Sequence, residues 1–79
     1  MEENMREKAI NFLKEFGEQY IKYKISEYSG TVEKIPFDIA VNRFILDFND
    51  FKLFGETLNF DESQAFDMTC ALWKKHIIF

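Results

Sequence analysis

The sequence predicts an all-α fold, a three-helix bundle, and three observations carry that expectation. Apolar residues recur at helical spacing in three stretches, near residues 3–28, 37–54 and 61–77. Gly30 and Gly55 stand where the first two stretches end, and a capping pattern opens the third. The connections between them are short, as in bundles. Seventy-nine residues, of which 47% are hydrophobic and 30% charged, suffice for one folded domain spanning 1–79 and leave no room for two.

In the first stretch Met5, Ala9, Phe12, Leu13, Phe16, Tyr20 and Tyr23 share one face at 100° per residue. Ser29-Gly30 stops it, Gly30 suiting the left-handed position after a helix. Gly17 inside it costs about 1 kcal/mol relative to alanine, which points to a kink or a close backbone approach. Residues 31–35 read as a connector. Pro36 disfavours helix at Ile35, so the second helix begins near Pro36 or Asp38. Phe37, Ala40, Val41, Phe44, Ile45, Phe48 and Phe51 form its inner face. A strand reading competes, because Ile35, Phe37, Ile39 and Val41 alternate and residues 51–60 resemble a hairpin. The alternative is therefore an α+β fold with a hairpin within 44–60. In the third stretch Asp61 and Gln64 have capping-box spacing, and Lys74 and Lys75 complement the dipole at the far end.

Little chemistry fits this composition, and no enzyme is expected. His76 is the only histidine and Cys70 the only cysteine. Six residues apart on a helix, they point to different sides and cannot hold one ion. His76 reads as a packed histidine with one nitrogen bonded, and Cys70 as a small buried hydrophobe. The acidic run at Asp47–Asp50 fails as a calcium loop. Counted from Asp47, the sixth position is Lys52 and the twelfth Leu58, where glycine and glutamate are needed. No glycine-rich phosphate loop occurs, and no cofactor or metal is expected.

Nucleic acid is not expected to bind directly. The third helix opens with Asp61 and Glu62 and carries Asp67, and the lysines of the first, Lys8, Lys14, Lys22 and Lys24, are interleaved with glutamates. No apolar run approaches the roughly 18 residues of a membrane span, and the acidic start carries no secretion signal, so a cytoplasmic location is expected. A lone thiol suits a reducing compartment. Heavy use of Phe, Ile, Asn and Lys over Gly, Ala, Arg and Pro points to an AT-rich genome, of a bacterium, phage or mobile element.

The informative feature is apolar surface left after each helix has one core face. Ile39, Leu46 and Leu53 recur every seven residues, among Asp47, Asp50 and other polar groups. Ile10, Gly17, Ile21 and Tyr28 make a second strip on the first helix, suited to self-association into a homodimer. Residues 35–67 carry net −5 within a total of −4. The expectation is a small acidic protein-binding module, an inhibitor or modulator that docks on a basic site of another protein. Ile39, Leu46 and Leu53 would be its anchors, flanked by Asp47 and Asp50. A self-assembling subunit and a nucleic-acid-linked regulator are the alternatives. In each case, a stripe buried between helices of the bundle would carry no function at all.

Overall fold

A computed structural model describes residues 2–25 and 30–78, with side chains from Met5 onward. The chain runs α1 (Glu2–Lys14), β1 (Tyr20–Lys24), β2 (Val32–Pro36), α2 (Phe37–Thr57), α3 (Glu62–His76) and β3 (Ile77–Ile78). This is a mixed α+β fold, which overturns the three-helix bundle. The α+β alternative names the class but misplaces the hairpin, since residues 44–57 are helix.

The correction lies in residues 15–36. The predicted helix over 3–28 stops at Lys14, where the Phe16 amide donates to the Leu13 carbonyl at 3.0 Å. Gly17 follows with φ of +152°, and a Cβ there would collide with the carbonyl oxygen of Tyr20, so only glycine fits. From Tyr20 the side chains alternate: Ile21 is buried, Lys22 exposed and Tyr23 half-buried. The Tyr20/Tyr23 spacing of three suits a helix equally well, and pairing between distant segments decides against it.

The sheet has the order β2-β1-β3 and is antiparallel throughout. On its inner face Ile21 pairs with Ile35 and Tyr23 with Ile77. On its outer face Lys22 lies between Lys34 and Ile78, Tyr20 opposes Pro36, and Lys24 opposes Val32.

Pro36 closes β2 and caps α2 with φ of −56°, needing no amide hydrogen of its own. At the other end Gly55 lies inside α2 and does not end it. The Leu58 and Phe60 amides both donate to its carbonyl, at 3.0 and 2.8 Å, and Asn59 supplies the left-handed turn at φ of +59°. A Cβ on Gly55 would lie 2.9 Å from that of Phe60, so the glycine admits the returning chain. The predicted capping box is present in α3: the Gln64 amide donates to Asp61 Oδ1, and the Asp61 amide to Gln64 Oε1, both at 2.9 Å. The core joins Leu13 of α1, Ile21 and Ile35 of the sheet, Val41 and Phe44 of α2, and Trp73 of α3. Each contributes about 1.5–3 kcal/mol by leaving water.

Candidate protein-binding face

The inner side of α2 buries Ala40, Val41, Phe44 and Phe48 against the rest of the molecule. At 100° per residue, Ile39, Leu46 and Leu53 point the opposite way. They are exposed by 39%, 64% and 65% respectively, so this stripe is not core. Phe54 and Leu58 are also exposed near the C-terminal end of α2, at 59% and 50%, with Phe54 turned 100° from Leu53 around the helix. Sequence reasoning assigned neither of these two to the face. Phe54 is the neighbour of Leu53, and Leu58 lies past the expected helix end.

The two flanking carboxylates differ. Asp50 is exposed beside the stripe. Asp47 is half-buried and accepts a hydrogen bond from Trp73 Nε1 at 2.8 Å, so it faces α3 and holds an indole in place. Its charge also reaches Tyr23, whose hydroxyl is held above its ordinary pKa, first by burial and then by Asp47, with Arg43 opposing. Arg43 is exposed four residues after Ile39, and Asn42 accepts from Arg6 Nη1 at 3.1 Å. The stripe therefore has charges of both signs at its edge.

The proposed self-association strip is not a helical face. Ile10 is half-buried against the core from α1, Gly17 lies in the turn, and Ile21 is fully buried on β1. Tyr28 lies outside the described residues.

His76 Nδ1 lies 3.1 Å from the Lys24 carbonyl, an acceptor only, so Nδ1 carries the proton, and the ring stacks on Tyr23 with centroids 5.2 Å apart. Burial, with the nearby charge of Asp67, pushes the half-buried Cys70 thiol up to about 11. Among the described residues no group of histidine, cysteine and carboxylate side chains is arranged to hold a metal ion, and no helix is long and apolar enough to cross a membrane.

One charged surface escaped the sequence reading. Lys22 and Lys24, taken as lysines interleaved with glutamates on a helix, stand on the outer sheet face beside Lys34. Exposed Tyr20 and Val32 lie on the same face. The alternation of Tyr20–Lys24 was the signal available for it. Comparison with known proteins finds no match: no protein family fits the chain, and no curated protein or solved structure is detectably similar to it.

Proposed function

We propose that this chain is a non-enzymatic protein-binding domain that docks onto another protein chain through the outer face of α2. The observation that carries the reading is the exposure of Ile39, Leu46 and Leu53 on the side of α2 away from the core, with Phe54 and Leu58 also exposed near the end of the helix. An apolar surface of this kind, rimmed by polar groups, gains free energy when a partner removes it from water. Asp38, Asp50 and Glu56 favour basic groups on that partner, while Arg43 calls for an acidic one. Docking of this kind acts by occlusion or assembly and requires no reactive side chain.

A second reading has one observation in its favour. Lys22 and Lys34 are direct cross-strand neighbours, an arrangement that costs stability unless an anion lies between them. The outer sheet face, with Lys24 and Tyr20, would then contact a polyanion such as single-stranded nucleic acid.

Three immobilised baits separate these readings: wild type, Leu46→Asp/Leu53→Asp, and Lys22→Glu/Lys34→Glu, each exposed to lysate of an AT-rich bacterium. Docking through α2 predicts proteins retained by the wild-type and lysine-variant baits and lost from the leucine variant. Equal retention by all three removes α2 as the contact, and loss confined to the lysine variant favours the sheet.

A further inference from the structure

We propose that the occupant of the α2 outer face is a second copy of this chain, packed antiparallel along α2 about a twofold axis level with Leu46. This rests on the reading of α2 as a docking face and names the partner of that face. A twofold interface needs a surface complementary to itself, and the residues around Leu46 have that property.

At about 1.5 Å per residue, Ile39 lies about 10.5 Å before Leu46 and Leu53 about 10.5 Å after it. Reversing the second helix sets Leu46 against Leu46, and Ile39 of each copy level with Leu53 of the other. On one flank of the stripe, Arg43 precedes Leu46 by three residues and Asp50 follows it by four. The axis keeps that flank on the same side of both helices. Each Arg43 then falls within about 1.5 Å, along the helix direction, of the other copy's Asp50, giving two ion pairs across the seam. The opposite flank holds Asn42 and Asn49. The same rotation brings each Asn42 level with the other copy's Asn49, to within one residue. The Asn42 oxygen already accepts from Arg6, which leaves its amide hydrogens to donate.

A parallel pair has no such match, because its axis runs along the helices and sets the Arg43/Asp50 flank of one copy against the Asn42/Asn49 flank of the other. Neither Arg43 nor Asp50 takes part in an ion pair among the described residues, where the pair formed is Lys52–Glu62, at 2.9 Å. The area sets the strength. A helix of 21 residues offers a strip about 31 Å long and about 10 Å wide. That is well under the roughly 800 Å² per partner of a standard interface, so the pairing belongs with weak, reversible contacts rather than obligate dimers.

Sedimentation equilibrium from low to high micromolar concentration tests the pairing, with circular dichroism confirming that each variant is folded. The wild type is expected to pass from monomer to dimer. Arg43→Asp and Asp50→Arg each weaken the dimer about tenfold or more, because each change places two like-charge contacts across the seam. The double variant Arg43→Asp/Asp50→Arg restores the dimer to within about threefold of wild type, and Leu46→Asp abolishes it. A wild-type chain that stays monomeric, or a double variant no better than its single parents, overturns the proposal. The three-bait comparison then separates the two failures. A monomeric chain whose captured proteins are lost from the leucine variant retains the docking face and rejects the second copy; unchanged capture rejects both.

Discussion

Trp73 Nε1 donates a hydrogen bond of 2.8 Å to Asp47 Oδ2, joining α3 to α2 across 26 residues of sequence. The indole is almost wholly buried, packed on Phe44 and Tyr23 with ring centroids 5.8 and 5.1 Å away, so its one polar atom depends on that carboxylate. Asp47→Ala leaves a buried donor unsatisfied. The expected loss is about 1–3 kcal/mol of stability, with Asp47→Asn retaining part of it. Denaturant titration followed by the fluorescence of Trp73, the only tryptophan, measures both.

Gly17 and Gly30 both have positive φ but stand in different surroundings. At Gly17 a methyl group meets the Tyr20 carbonyl, whereas at Gly30 it meets open space. Gly30→Ala is expected to cost about 1 kcal/mol, the ordinary penalty for a left-handed residue. Gly17→Ala must also move the backbone that leads into β1, and its cost exceeds that of Gly30→Ala. Thermal melts of the two variants side by side give the ranking, and equal losses would contradict the close approach at Gly17.

Cys70 is expected to react slowly in the native state. A thiol pushed up to about 11 remains protonated at pH 8, and the thiolate is the nucleophile. Alkylation by iodoacetamide at pH 8 is therefore slower in the folded chain than in urea, where the ordinary thiol pKa returns. A native rate equal to the unfolded one would show that the thiol is neither buried nor shifted.

Tyr23 makes stability fall at alkaline pH. Its hydroxyl titrates higher in the folded state than its ordinary 10.0, so the unfolded chain loses this proton first. The stabilisation from neutral Tyr23 is complete below pH 10 and is lost as pH rises through the folded-state value. Tyr23→Phe removes this contribution to the alkaline slope, measurable as denaturation midpoints at pH 9 and above. An unchanged slope in the variant would place the titration elsewhere.

The helices were more legible than the sheet, for a physical reason. In α2 the apolar spacing and Pro36 are local signals, and in α3 the Asp61/Gln64 box is another; helices at 37–57 and 62–76 stand close to the predicted 37–54 and 61–77. Strand β1 was missed because Tyr20 and Tyr23 continue the helical spacing of Phe12 and Phe16. Its partners Ile35 and Ile77 are 14 and 54 residues from the residues they pair with, beyond the reach of any periodicity. Gly17, noted as a cost to a helix, was the local sign that the helix had ended. The α2 stripe was legible as a heptad, but whether Leu46 and Leu53 were core or surface depended on how many neighbours α2 has. A sheet and two helices cover one side of it, and the other is left open. The second engagement of Asp47, a hydrogen bond to a tryptophan 26 residues away, leaves no trace in the sequence.

Equilibrium unfolding of Leu46→Asp/Leu53→Asp at low protein concentration separates a surface stripe of Ile39, Leu46 and Leu53 from a buried one. With both leucines on the surface, the variant unfolds in a cooperative transition reported by Trp73, with a loss of about 1 kcal/mol from the poorer helix propensity of aspartate. No cooperative transition, or a loss of the several kcal/mol typical of buried leucines, would place the stripe in the core and remove α2 as a docking face.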